Sequence, residues 1–198
     1  DTDTYLSDGL VGYWKMDESS WTNDCSTDTV TDSSGNGGSG DACPTSTGPT
    51  GGAAGKFSRA GNFDGTDDYL SIAHSNSLNI TTNITLASWI NPDTIPGTSD
   101  QYAVFSKRSA TNTQYALYYG EYTPSNSKLV FTYNDGAWHD HVSTSEVATG
   151  SWAHVVVTYD TKNVSFYING QLDSVVSAAT TSLPTYSIPL LIGAARNA

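Results

Sequence analysis

The chain has 198 residues, of which 37 % are hydrophobic and 11 % aromatic, enough to bury the core of one β-sandwich of ordinary size. Its formal net charge of −12 excludes nucleic acids and anionic membrane surfaces as expected partners, because both would be repelled. No apolar run approaches the roughly 18 residues that a membrane-spanning helix needs, so we expect no membrane insertion.

The N-terminal part combines short predicted strands with a long polar segment. Residues 1–8 are polar and are interpreted as a leader or linker, and residues 9–16 are predicted to form the first strand. Residues 19–55 contain almost no large apolar side chains, so we expect a long loop with at most one short strand. Two short strands, 60–64 and 69–72, are predicted on either side of a polar turn.

The two cysteines of the chain, Cys25 and Cys43, both lie in this polar segment, where no hydrophobic pattern accounts for them. Two cysteines without neighbouring histidines do not make a zinc site. We therefore expect a disulfide that closes the loop and stabilises the fold by about 3 kcal/mol in the chain-entropy model. A disulfide implies an oxidising compartment, which favours an extracellular or cell-surface protein.

The C-terminal part is a succession of short alternating strands, which is typical of antiparallel sheets. Residues 150–171 predict a complete hairpin, with a polar turn at 160–163 and a second tight turn at Asn169–Gly170. About a dozen short strands, without helical periodicity beyond one turn, predict an all-β fold, an antiparallel β-sandwich. The other strands predicted here are 84–91, 102–107, 114–119, 128–133, 138–143, 171–178 and 188–193.

Six segments, in the same order along the chain, resemble motifs of one known family. They are GLVGYWKMDE (9–18), DSSGNG (32–37), GKFSRAGNFDGTDDYLSI (55–72), ITLASWINPD (84–93), the hairpin at 150–171 and LLIGAARN (190–197). The sequence is on this basis similar to the laminin-G-like, concanavalin A-like lectin/glucanase domains, of the type found in bacterial surface and secreted proteins. The resemblance implies a jelly roll in which residues 9–198 form a single domain. Because this fold hosts lectins, glycanases, adhesion modules and structural domains, the family does not select a ligand.

Members of this family usually continue with a final strand, whereas the present sequence stops at residues 196–198. Two explanations are open. The simpler one is that the sequence is a truncated part of a longer protein. In the other, a neighbouring domain or chain supplies the missing strand, which would make the protein a structural subunit of an assembly.

The carboxylates do not predict catalysis. Glycanases of this fold use two carboxylates on one strand, about 5 Å apart for retention, in a motif that resembles E-x-D-x-E. The three glutamates of the chain, Glu18, Glu121 and Glu146, do not lie in such an array. We therefore expect a protein that is not an enzyme, with a glycoside hydrolase or lyase as the less favoured alternative.

A calcium site is predicted from acidic loops. Residues 32–37 place oxygen-bearing side chains at alternate positions, including Asp32 and Asn36, and this spacing begins many Ca²⁺ loops. The family resemblance implies a structural Ca²⁺ near this loop, with Asp17 and the pair Asp67 and Asp68 as further contributors. The alternative is a loop of Asx turns that binds no metal.

A ligand-binding surface is predicted in the segment 102–141, on the concave sheet and its rim. Sugars stack their C–H faces on aromatic rings and hydrogen-bond to polar groups nearby. The residues of this segment that meet both needs are Trp138, His139, Tyr119, Tyr122 and Arg108. We therefore predict a carbohydrate-binding or adhesion module whose partner is a glycan or cell-surface ligand, although ordinary strand-facing aromatic residues would give the same pattern.

Two further expectations concern individual side chains. Trp14, Trp89 and Trp152 lie in strand patterns and are predicted to belong to the core. His139 and His141 share one face of a predicted strand, and we interpret them as part of an exposed polar strand rather than as metal ligands.

Overall fold

This computed structural model describes residues 7–36 and 38–195 of the chain. Within them lie 14 β-strands and one 3₁₀ turn, Asn76–Leu78, so the all-β prediction is confirmed. The chain groups into two compact units, Asp1–Asn79 and Ile80–Ala198. Most of the expected leader and the residues at which the sequence stops lie outside the described residues, and the single-domain assignment stays a prediction.

The first unit is built from short strands whose residues are mostly small. β1, β2 and β5 pair in that order in an antiparallel ladder, and β3 and β4 form a separate hairpin. The strands are β1 (Asp28–Val30), β2 (Gly40–Cys43), β3 (Thr50–Ala54), β4 (Arg59–Asn62) and β5 (Tyr69–Ile72). The buried apolar side chains of the ladder are Val30, Ala42, Leu70 and Ile72.

The polar segment 19–55 is more regular than predicted, because it contains β1, β2 and β3 rather than one strand at most. Sequence patterning missed them because strands of Gly, Ala, Asp and Thr carry no large apolar side chain to reveal a period of two. The predicted disulfide is confirmed: Cys25 is bonded to Cys43, the last residue of β2.

The predicted first strand, residues 9–16, is wrong. Only Trp14 forms a β-bridge there, to Asp32, and Met16 has a positive φ of 57°, which interrupts an extended chain. The segment is held instead by the indole of Trp14, which donates from Nε1 to the carbonyl oxygen of Gly38 at 2.7 Å. Its ring covers Gly12, where a Cβ atom would overlap the indole.

The second unit is a sandwich of two antiparallel sheets. One runs in the order β14–β7–β8–β9–β10 and the other in the order β13–β12–β11–β6. Phe131 of β9 faces Tyr159 of β11, with ring centroids 6.2 Å apart, so aromatic rings fill the space between the sheets. The strands are β6 (Asn83–Ile90), β7 (Tyr102–Arg108), β8 (Thr113–Tyr119), β9 (Lys128–Asn134), β10 (Trp138–Glu146), β11 (Ala153–Asp160), β12 (Asn163–Ile168), β13 (Gln171–Ser177) and β14 (Leu190–Gly193).

The predicted hairpin at 150–171 is confirmed as β11 and β12 with the turns at both ends of β12. Asn169 and Gly170 have φ of 52° and 79°, the conformation that a type I′ turn requires at both central residues. The expectation that three tryptophans are core residues is only partly met. Trp14, Trp89 and Trp152 are each half-buried, and Trp89 packs on His154 with ring centroids 5.2 Å apart.

Candidate functional site

The sheet β14–β7–β8–β9–β10 has one face toward the core and one face away from it. Phe131 points to the core, so its neighbour Thr132 points to the other face. The strand register then places Ser106, Ala116, Thr132 and Asp140 side by side across β7 to β10 on this face. We call this face of β7–β10 the outer face. Its centre is buried, since Ser106 and Ala116 are 0 % and Thr132 is 3 % exposed, and Oγ of Ser106 donates to the carbonyl oxygen of Ala195 at 2.7 Å. The exposed part of the outer face is its edge at β10, which carries Trp138 and Asp140.

Arg108 and Trp138 meet on the outer face, although 30 positions of sequence separate them. The guanidinium carbon of Arg108 lies 4.9 Å from the centroid of the Trp138 ring, within the range of a cation–π contact. Nη1 of Arg108 donates to the hydroxyl of Tyr118 at 3.1 Å, which fixes the guanidinium on the sheet. Trp138 remains 50 % exposed, so part of its ring is available to a ligand.

Two polar atoms near this pair have no partner within the described part of the chain. Nε of Arg108 and Oγ1 of Thr132 are both buried and make no hydrogen bond. Thr132 lies beside Ala116, and both side chains are buried, with exposed fractions of 3 % and 0 %. Both atoms are shielded from solvent, so the contacts offered to a ligand on this face come from the exposed ring of Trp138 and the outer end of the guanidinium.

His139, the neighbour of Trp138, points to the opposite face of β10. Its Nε2 lies 2.9 Å from Oδ1 of Asp135, and its ring packs on Tyr133 with centroids 4.9 Å apart. The hydrogen bond with His139 lowers the pKa of Asp135. His139 therefore braces the turn between β9 and β10 and does not share the outer face with Trp138.

The interpretation of His139 and His141 as an exposed polar strand is wrong for His141. Its side chain is 5 % exposed and stacks on Tyr133 with ring centroids 5.6 Å apart. Burial lowers the pKa of His141, so the ring stays neutral in the folded protein at pH 7.

Tyr119 and Tyr122 do not join this site. Tyr119 is 2 % exposed and its hydroxyl donates to the carbonyl oxygen of Val147 at 3.2 Å, so we remove it from the candidate ligand contacts. Tyr122 is 60 % exposed but follows the far end of β8. Since β8 spans six residue steps, this end lies about 20 Å from the end where Arg108 pairs with Thr113.

Asp32 is occupied by hydrogen bonds from the protein itself. Its carboxylate accepts from the backbone N–H groups of Tyr13, Ser34 and Gly38 and from the hydroxyl of Ser34. Burial opposes ionisation of Asp32, but these donors outweigh it and lower the pKa. The loop is thus an Asx turn whose carboxylate already has its partners.

The other two ligands predicted near this loop are exposed. The amide nitrogen of Asn36 donates to the carbonyl oxygen of Leu10 at 2.8 Å, and Asp17 lies 3.9 Å from the ammonium of Lys15. Neither Asp17 nor Asp32 belongs to a carboxylate cluster in the residues described. Of the predicted metal ligands, Asp67 and Asp68 are the ones that lie in a carboxylate cluster within the described residues.

The acidic turn, defined here as Asp64, Asp67 and Asp68, is the site that could hold a metal ion. A ligand oxygen of each lies within 4.8 Å of those of the other two. Oδ2 of Asp68 accepts from the backbone N–H of Asp64 at 2.8 Å, whereas Oδ1 is buried without a partner. Burial, together with the charges of Asp64 and Asp67, raises the pKa of Asp68, although the Asp64 hydrogen bond opposes the shift. Sequence reasoning named Asp67 and Asp68 as contributors but missed Asp64, because a linear pattern does not show that the turn brings Asp64 beside Asp68.

Two packed antiparallel sheets with an aromatic outer face define a concanavalin A-like β-sandwich. The model of the family Laminin_G_3, the concanavalin A-like lectin/glucanases superfamily, matches residues 64–198, and the chain belongs to this family. None of the curated sequences compared with the chain matches it significantly. No helix in the described part of the chain is long and apolar enough to cross a membrane.

Solved structures share the fold at low sequence identity. The binding domain of Paraclostridial Mosquitocidal Protein 1 matches with a TM-score of 0.70 and 17 % identity over 95 % of this chain and 45 % of that one. Domain 4 of AbnA, a GH43 extracellular arabinanase from Geobacillus stearothermophilus solved in complex with arabinotriose, has a TM-score of 0.65 and 18 % identity, covering 83 % and 78 %. A botulinum neurotoxin type C structure, whose title describes cell entry dependent upon two ganglioside molecules, has a TM-score of 0.57 and 15 % identity, covering 96 % and 44 %. The chain thus spans less than half of the mosquitocidal and neurotoxin chains.

Proposed function

We propose that this protein is a non-catalytic carbohydrate-binding module of a secreted or cell-surface protein, and that it binds glycan on the outer face. The observation that carries the proposal is the half-exposed ring of Trp138 beside the guanidinium of Arg108. An indole face offers a platform for the C–H face of a sugar, and a guanidinium offers several N–H donors to its oxygens.

The comparisons support a binding module rather than an enzyme. Their titles describe binding domains of toxins and a domain of an arabinanase in complex with arabinotriose, although those ligands belong to those proteins. A glycanase would need two carboxylates a few Å apart in its groove. Among the four residues that lie side by side across β7–β10 on the outer face, Asp140 is the one carboxylate. Strand donation by a neighbouring chain stays a prediction without a specific observation in its favour.

Replacing Trp138 with alanine should weaken glycan binding at least 30-fold, because central aromatic contacts typically contribute about 2 kcal/mol or more. The measurement is a screen on a glycan array followed by calorimetric titration of the best ligand. Tyr122→Ala is the matched control, since it removes an aromatic side chain at least as exposed at the far end of β8. Equal losses in both variants, or a loss only in Tyr122→Ala, would contradict the assignment of the outer face.

A structural Ca²⁺ at the acidic turn is part of the proposed function. Ca²⁺ prefers carboxylate oxygens, and a cation there would compensate the charges that now oppose ionisation of Asp68. The buried Oδ1 of Asp68, which lacks a partner, supports the choice of this turn over the Asp32 loop. Asp68 is 6 % exposed, so the bound ion would be partly shielded from water.

Ca²⁺ in excess over EGTA should raise the midpoint of thermal unfolding by roughly 5–10 °C, because at 100 times its dissociation constant a ligand adds about 2.7 kcal/mol. Asp68→Asn should abolish this response. Without Ca²⁺, Asp68→Asn should unfold at a temperature no lower than the unmodified protein. The raised pKa of Asp68 means that its negative charge is unfavourable in the folded state, and the substitution removes that charge. The control Asp17→Asn should keep the full response. A response lost in Asp17→Asn but kept in Asp68→Asn would overturn the site.

A further inference from the structure

We infer, resting on the proposed glycan-binding function, that the outer face takes an acidic glycan whose carboxylate is bound by Arg108 while its sugar ring stacks on Trp138. The chain is acidic, and yet Arg108 has no acidic partner among the residues that the structure describes. The two ion pairs in the described part of the chain are Lys15–Asp17 and His139–Asp135, and neither involves Arg108.

The hydrogen bonds of Arg108 leave room for an anion. A guanidinium has five N–H donors, and the bond from Nη1 to the hydroxyl of Tyr118 uses one of them. Nε is buried without an acceptor among the described residues, so an anion would have to meet the remaining Nη donors. A carboxylate is the group whose geometry best matches the guanidinium fork, and such charge-assisted bonds are about twice as strong as neutral ones.

The local charge also differs from the charge of the whole chain. Lys107 and Arg108 are the one adjacent pair among the eight lysines and arginines. Burial lowers the pKa of Lys107 to about 8, so this lysine is still positive at pH 7. Asp135, near Trp138 in sequence, is engaged by His139. Lys107 is buried and points to the opposite face, and the exposed carboxylate of Asp140 lies on the outer face two residues beyond Trp138, so Arg108 is the cation that this face offers to a ligand.

The geometry suits a sugar that carries its acid on the ring. Arg108 covers part of one side of the Trp138 indole, so the ring and the guanidinium are presented to the same ligand. A uronic or sialic acid residue lying on the exposed part of Trp138 would bring its carboxylate to the guanidinium.

The test compares ligands that differ only in the charge. Calorimetric titrations in buffer without Ca²⁺ would use trigalacturonate and sialyllactose, each against its own methyl ester. The acidic member of at least one pair should bind ten-fold or more tightly than the neutral member, and added salt should reduce the difference. Arg108→Gln should remove the preference, Arg108→Lys should keep only part of it, and Trp138→Ala should weaken both members.

The outcomes distinguish failure of the acidic-glycan inference from failure of the glycan-binding function on which it rests. If the acidic and neutral members bind equally, or if the glycan array returns only neutral ligands that need Trp138, the carboxylate preference is overturned and the glycan-binding function stands. If no glycan binds, both fall. Unfolding midpoints of the Arg108 variants within about 2 °C of the unmodified protein would exclude misfolding, and Arg108→Lys serves if Arg108→Gln does not fold.

Discussion

Replacing Lys107 with methionine should lower the free energy of unfolding by about 2–4 kcal/mol. Lys107 is 0 % exposed, and its ammonium donates to the carbonyl oxygens of Tyr186 at 2.8 Å and Ile188 at 2.6 Å. These carbonyls lie in an irregular segment just before β14, so the lysine replaces ladder hydrogen bonds that this segment lacks. Methionine has similar length and no donor, which deprives both carbonyls of a partner. Loss of a buried cation offsets part of the cost.

Urea unfolding of the two proteins at pH 7 measures this effect. The matched control is Lys128→Met at the start of β9, where the lysine is half-exposed, and there we expect a change within about 0.5 kcal/mol. Similar losses in both variants would show that Lys107 does not hold the segment before β14.

The pH dependence gives an independent check on Lys107. Burial lowers its pKa to about 8 in the folded protein, whereas an unfolded lysine titrates near 10.4. Between these values the unfolded chain binds more protons, so the contribution of Lys107 to stability increases as pH rises from about 8 to about 10. The stability difference between the unmodified protein and Lys107→Met should therefore grow across this window, by on the order of 1–2 kcal/mol. A difference that shrinks would contradict the burial of a protonated lysine.

The parts of the fold that sequence predicted best are those where large side chains mark the period of two. β11 and β12 alternate buried Val and aromatic residues with half-exposed ones, and Asn169–Gly170 marks their turn. The strands from β6 to β9 were placed within one residue at each end for the same reason. By contrast, β1, β2 and β3 pair through their backbones with almost no apolar pattern. The stretch 9–16 has a strand-like pattern but is held by one indole over Gly12.

The candidate site was predictable in its residue types but not in its arrangement. From sequence, Trp138 is recognisable as an aromatic residue in a polar context, and Arg108 as one of the eight positively charged residues of an acidic chain. Their contact depends on the register across β7, β8, β9 and β10, which short-range patterns do not contain. The same limit applies to the acidic turn, where Asp67 and Asp68 were predicted as metal ligands but Asp64, which lies beside them in space, was not. Carboxylates on adjacent residues converge there because the turn curves the backbone around them.

Trp21 is the side chain on which the hairpin of β3 and β4 should depend most strongly. Its indole lies against Gly51 of β3 and Gly61 of β4, where a Cβ atom on either glycine would overlap the ring. The ring of Phe63 packs edge-on against it, with centroids 6.0 Å apart. Trp21→Ala should therefore cost about 3–4 kcal/mol, because a large ring is lost from a surface of glycines that cannot fill the space.

The reason for these glycines can be tested with the opposite change. Gly61→Ala should cost about 1–3 kcal/mol by pushing the indole off the hairpin, whereas Gly97→Ala, where a Cβ meets nothing within 4 Å, should have little effect. In the double variant Trp21→Ala with Gly61→Ala, the methyl group has no ring to displace. The double variant should therefore lose less unfolding free energy than the sum of the two single losses, by about 1 kcal/mol or more. Urea unfolding of the unmodified protein, the two single variants and the double variant measures this difference as a double-mutant cycle. Strict additivity would mean that Gly61 is required by the backbone of β4 and not by Trp21.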